Sequence, residues 1–440
     1  VELMTSPAMR TVPNETPAAA MLNLPRARSI EAHQMPQLVQ AGGLVYVPGS
    51  SGAPQEFMTE LLREPTCTEG ARILTTYVPS INRLELQGLH ATGEVTGLFM
   101  QPGVTQAQRD GRFRALPLSY SGFVRHLNEH VDVDLTVVQV SAPDAQGNCS
   151  LGPAVEFMPV VLNKSRRVLA LINRQTPRIP GAVSIPYSRF DYVCEVDTPL
   201  PNYSAPADAI TEAISRNIVS LIEDGCTLQA GLGKVPTALM QLLHDRRRLR
   251  MHSGMLSDGF LELAKAGALD MSYPHTTCVL VGSQRFYEQA AEFESLRVLG
   301  CDVTHSAATL NAIDRFVAVN SALEVDLFGQ CNLEHANGMA VSGCGGAPDF
   351  ARAGRMSVGG RSIVALPSRH KTGSRITPQL SEHSVVTLSR IDVDFVVTEH
   401  GVANLNGASV HERAEALISV AAPEFRDTLL ASWRGIAARL

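Results

Sequence analysis

The chain has 440 residues, 45% of them hydrophobic and 18% charged, which makes it too long for one ordinary core and too apolar to be disordered. Two or three domains are expected. A net charge of −6 gives no bulk field for nucleic acid or anionic lipid, and aromatics at 5%, with the single Trp433, give no stacking platform for single strands.

No apolar run reaches the roughly 18 residues of a membrane-spanning helix, so no membrane partner is expected. Residues 1–28 lack the basic, apolar and cleavage-site order of a signal peptide and read as a flexible arm. The eight cysteines form no Cys-x-x-Cys pair and no histidine cluster stands at zinc spacing. They read as buried thiols of a reducing compartment, the cytoplasm, with no metal expected.

In chain order, Ser29-Ile30-Glu31-Ala32 looks like a capped helix start with Ser29 as the cap. The run Leu44 to Val47 is a short buried strand, closed by Pro48-Gly49-Ser50-Ser51-Gly52 and followed by helical periodicity from Gln55 to Leu62. Strand, glycine-rich turn and helix form the opening unit of an α/β domain. Further strands are expected at Leu135–Val140 and Val168–Ile172. The proline-rich stretch from Asp197 to Pro206 has little to bury and marks a linker, giving an N-terminal domain over 29–196, a linker over 197–210 and a C-terminal domain over 211–440. Thr211 to Glu223 reads as an amphipathic helix with Ile214, Ile218, Leu221 and Ile222 on one side. Continuous apolar runs at Cys278–Val281, Phe316–Val319, Ser362–Leu366 and Phe395–Thr398 imply a mainly parallel sheet covered on both faces, and Val410–Val420 and Glu424–Leu440 read as closing helices.

Two glycine turns stand out. The first, Gly231-Leu232-Gly233-Lys234-Val235, follows a strand and precedes a helix, which leaves backbone amides free at a positive dipole end. It matches neither the phosphate loop nor the full dinucleotide fingerprint. The second, Gly343-Cys344-Gly345-Gly346, opens the run Ala347 to Arg352. Between them, His252 to Gly259 reads as a polar break between helices; its His252, Ser253 and Asp258 are loop neighbours and make no triad. Asn320, ending a strand, either caps a turn or faces the ligand crevice of the sheet. Glu324 and Asp326 are expected to face solvent or a subunit interface.

Taken in order, these segments carry a resemblance. Gln229-x-Gly231-x-Gly233, His252-Ser253-x-Met255-x-Ser257-Asp258-Gly259, Asn320-Ser321-Ala322-x-x-Val325-Asp326, Ser342-Gly343-x-Gly345-Gly346-x-x-Asp349-Phe350 and Thr398-Glu399-His400-Gly401-Val402-Ala403 are similar to the acetyl-CoA hydrolase/transferase family, its 4-hydroxybutyrate and butyrate CoA-transferase branch above all. The resemblance runs from about Leu44 to Arg426 and is firmest in the second half. It implies two α/β CoA-transferase domains with mainly parallel sheets, a site between them, and a ping-pong reaction through a glutamyl-CoA thioester. A coenzyme A thioester and a small carboxylate are then substrates, no tightly bound cofactor is needed, and a homodimer is expected. The N–H groups of Leu232 and Gly343 are implied as the oxyanion donors, with Gln229, Gly231, Leu232, Gly233, Lys234, Val235, Asn320, Gly343, Gly345 and Gly346 contacting CoA or substrate. At the third position of the His252 segment the family places its nucleophilic Glu, and this chain has Gly254. In this it resembles an itaconate/butyrate CoA-transferase-like subset. The candidate replacements are Glu94 and, after it, Glu56; direct hydrolysis by water and acyl-CoA binding without turnover are the alternatives.

Overall fold

The computed structural model describes residues 27–371 and 373–440. Residues 1–26 of the expected arm lie outside the described residues. Arg28 does not belong to an arm: Arg28–Ser29 forms an edge strand beside Tyr192–Val196. Ser29 does not cap this turn, which starts at Ala32 behind Glu31, whose N–H donates to the Gln34 side chain at 2.9 Å.

Two eight-stranded sheets dominate. The first runs, in spatial order, Arg28–Ser29, Tyr192–Val196, Ser165–Asn173, Val133–Val140, Leu44–Val47, Arg72–Thr75, Glu94–Gly97 and Phe113–Ala115, and every pairing is parallel. The second runs Leu296–Val298, His275–Leu280, Arg250–Leu256, Thr227–Ala230, Phe316–Ser321, Arg361–Ala365, Phe395–Thr398 and Gly401–Asn404, parallel except for the last hairpin. The unbroken apolar runs have a direct cause. In Ser165–Asn173, Val168, Ala170 and Ile172 pack into one core while Leu169 and Leu171 pack into another, so neither face meets water.

The stretch from His252 is a correction to the sequence reading. Arg250–Leu256 is a strand in the middle of the second sheet, and His252 and Ser253 are buried in it. The His252 Nε2–H donates to the Thr304 carbonyl at 2.8 Å, and the Ser253 hydroxyl donates to the Ala230 carbonyl at 2.8 Å. Both side chains hold neighbouring elements together. Glu324 and Asp326 are also buried, against expectation. Glu324 accepts from the Ser381 and Ser384 hydroxyls, and Asp326 accepts from Gln330, which ties down the loops beyond the sheet.

The helix after the proline-rich stretch starts earlier than its apolar stripe, at Ala209, because Asp208 and Thr211 cap it reciprocally. It also ends earlier than expected, at Val219, so only Ile214 and Ile218 of the stripe are buried on the helix, while Leu221, half-buried, and Ile222, buried, lie beyond its end. One apolar core runs through both halves, from Tyr46 and Phe157 to Val279 and Val298. Backbone bonds stitch the same seam: Met100 N–H to Ser342 O at 3.3 Å, Tyr120 N–H to Gly345 O at 3.1 Å, and Val155 N–H to Cys278 O at 3.0 Å. Asp349 adds a polar lock, accepting from the Ser119 hydroxyl at 3.1 Å and from Ser121 N–H at 3.1 Å.

Candidate active site

Three adjacent strands of the second sheet end together, and Gln229, Gly254 and Asn320 stand at or near those carboxyl ends. A crevice outside the carboxyl ends is where an open parallel sheet takes its ligand. Here a cavity of 290 Å³ lies over them, and Gln229, Gly231, Leu232, Gly254, Asn320, Gly343, Gly345 and Gly346 all line it. Val78, Phe99 and Tyr120 from the first half form its cover. Buried polar atoms almost always find partners. Among the described residues the Gln229 Oε1, Asn320 Nδ2 and His305 Nε2 atoms have none, and all three residues line this cavity.

The two glycine turns meet here for steric reasons. Gly233 has φ of +125°, which a side chain disfavours, and this lets the chain swing from the strand into the helix Lys234–Leu242. At Gly343 a Cβ would lie 2.1 Å from the Leu98 carbonyl oxygen, so only glycine permits this contact between the halves. Among the described residues neither the Leu232 nor the Gly343 N–H has a hydrogen-bond partner. The turn divides beyond Leu232. Lys234 pairs with Asp208 at 2.9 Å, Val235 is buried in the core, and neither they nor Gly233 line the cavity.

His305 was not legible in the sequence, because it stands alone after the short helix Cys301–Thr304. Its ring packs between Tyr120, at 4.9 Å between centroids, and Phe350, at 4.6 Å. Burial, with His252 nearby, pushes its pKa down to about 3, so the ring is neutral. Nδ1 lies 2.8 Å from the Thr304 hydroxyl, whose only partner among the described residues is this nitrogen. We assign that hydroxyl as the donor, which leaves the ring proton on Nε2. Nε2 lies 3.3 Å from where a Cβ of Gly254 would be and 2.5 Å from where a Cβ of Gly346 would be.

The two candidate carboxylates do not line the cavity. Glu94 opens the strand whose far end leads to Phe99, and it pairs with Arg114 at 2.9 Å on the surface. Glu56 lies in the first turn of the helix Gln55–Arg63. A different acid, Glu156, is buried near the seam with φ of +43°. The Ser50 and Thr76 hydroxyls donate to its two oxygens at 2.7 and 2.9 Å, and burial raises its pKa. Cys278, Cys301 and His305 bring ligand atoms within 4.8 Å of one another, a trio hidden by its sequence spacing. Burial pushes the Cys301 thiol well up, and the Cys278 thiol donates to the Gly254 carbonyl at 3.0 Å. Metal binding needs thiolates, and burial disfavours that of Cys301.

Comparison with known proteins agrees with the geometry. The N-terminal domain of acetyl-CoA hydrolase/transferases matches residues 26–201 and the C-terminal domain matches 282–433. The 4-hydroxybutyrate coenzyme A transferase of Clostridium kluyveri is 33% identical over 389 residues, 86% of this chain and 91% of that protein. The butyryl-CoA:acetate CoA-transferase of Anaerostipes caccae is 33% identical over 336 residues, 71% of this chain and 75% of that protein. The crystal structure of RipA from Yersinia pestis superposes with a TM-score of 0.86 at 27% identity, covering 96% of this chain and all of that one. A cleft at the carboxyl ends of one sheet, covered by a second and lined by two glycine turns, is thus seen in a chain that belongs to the acetyl-CoA hydrolase/transferase family.

Proposed function

We propose that this chain moves CoA between a short acyl-CoA, of the butyryl, 4-hydroxybutyryl or itaconyl type, and a carboxylate such as acetate or succinate. The observation that carries the reading is the convergence of unpartnered donors on one cavity. Leu232 N–H, Gly343 N–H and Asn320 Nδ2 are the groups a thioester oxygen requires as it gains charge. The transferases of Clostridium kluyveri and Anaerostipes caccae support the short-acyl assignment. The division at 197–210, a homodimer and a cytoplasmic location belong to the same reading. Incubation with butyryl-CoA and acetate tests it: acetyl-CoA appears, and no exchange over a broad panel of acids overturns it. Gly254 favours one second reading, hydrolysis, since the position of the family's nucleophile carries no side chain. Free thiol appearing without any acceptor acid would mark that outcome.

A further inference from the structure

Among the described residues no Asp or Glu lines the cavity, and its lining carries no charged side chain. The one thiol in the lining, Cys344, has its pKa pushed up to about 12 by burial, with Glu334 and Asp349 adding to the effect, and is a poor nucleophile. The Ser253 hydroxyl is spent on the Ala230 carbonyl. What the cavity offers instead is donors without partners: the Asn320 amide and the His305 ring, with Nε2 beside the bare backbone of Gly254. A buried donor left unsatisfied has a strong preference for an anionic oxygen.

We propose that the acceptor acid supplies the carboxylate this chain lacks. It docks over Gly254 on His305 Nε2–H, while Asn320 Nδ2–H is left to the thioester oxygen, and it attacks the acyl-CoA directly, so CoA moves within a ternary complex. This rests on the transferase reading above. An oxygen of the acceptor forms a bond to the acyl carbon, and the carbon–sulfur bond breaks with its electron pair leaving on the CoA thiolate. The products of that step are a mixed anhydride and the thiolate. The thiolate then attacks the acceptor's carbonyl carbon, the carbon–oxygen bond breaks, and the original acid leaves as carboxylate. No proton is gained or lost and no oxidant or reductant takes part. The Leu232 and Gly343 amides serve the oxyanion in both halves of the exchange.

Initial rates with both substrates varied test the order of events. Intersecting double-reciprocal lines are expected, and hydroxylamine or borohydride trapping after acyl-CoA alone leaves the intact protein mass unchanged. Parallel lines, or an adduct on any glutamate or on Cys344, overturn the ternary route while leaving the transferase reading in place. A failure of exchange with every acid overturns both. Two variants locate the acceptor. Gly254→Ala puts a Cβ 3.3 Å from His305 Nε2. His305→Leu deletes the donor. Each is expected to raise the acceptor's KM about tenfold, the size of a hydrogen bond to a charged group, with the acyl-CoA KM within about twofold. His305→Asn, which keeps a donor, recovers part of that loss. Variants that shift the acyl-CoA KM and spare the acceptor's sink the proposal, and thermal melts on each show that the variant is folded.

Discussion

The carboxyl-terminal ends of the two sheets are built alike and finished differently. In the first sheet Ser50 and Thr76 follow neighbouring strands, and both donate to Glu156, which seals that end; Gln139 and Asn173 satisfy each other close by at 3.1 Å. In the second sheet the corresponding ends carry Gln229 and Asn320, which together with His305 have atoms left without partners. A polar cluster that satisfies itself is scaffold, because its groups have no further hydrogen bonds to offer. One left unsatisfied is held at a cost in stability that a ligand repays. The first half therefore lends the cleft a wall, through Phe99 and Tyr120, and the second half lends it the chemistry.

That contrast can be broken by substitution. Asn320→Ala should reduce kcat/KM for CoA exchange by about 10²–10³-fold, as for loss of one oxyanion donor. Its melting temperature should hardly change, because the Nδ2 atom had no partner to lose. Glu156→Ala should do the reverse. It strands the Ser50 and Thr76 hydroxyls and opens a void, for a loss on the order of 3 kcal/mol in denaturant unfolding, with activity per folded molecule retained.

A pH series sharpens this second prediction. Burial raises the Glu156 pKa above its ordinary 4.5, so the folded chain holds that proton more tightly than the unfolded chain. Stability from this group is full below pH 4.5 and falls as pH rises past it. Glu156→Gln should flatten that part of the profile.

Gly343→Ala comes next. Its Cβ would sit 2.1 Å from the Leu98 carbonyl, so the halves must part, at about 1–3 kcal/mol in unfolding free energy. Glu94→Gln should be the mildest change, within about twofold in activity and about 0.5 kcal/mol in stability, as for other surface sites. A loss there as large as that of Asn320→Ala would make Glu94 the nucleophile after all.

Local physics was legible in the chain. The strands Leu44–Val47 and Phe395–Thr398 and the helix Val410–Val420 lie where their apolar residues place them. The glycine turns were visible because glycine marks backbone that other residues resist. The His252 segment was misread for the same kind of reason. Histidine, serine and glycine in a row look like a loop, and only the neighbouring strands reveal that Ser253 has the Ala230 carbonyl to bond. His305 gave no local signal at all.

By itself, then, the sequence determined the α/β class, the turns and the family, since periodicity, caps and glycine conformations depend on residues a few positions apart. The tertiary structure alone decided which polar atoms go without partners, that His305 stands beside Gly254, and that Glu94 does not line the cavity. Those outcomes depend on what distant segments bring into hydrogen-bond range, and no local pattern encodes them.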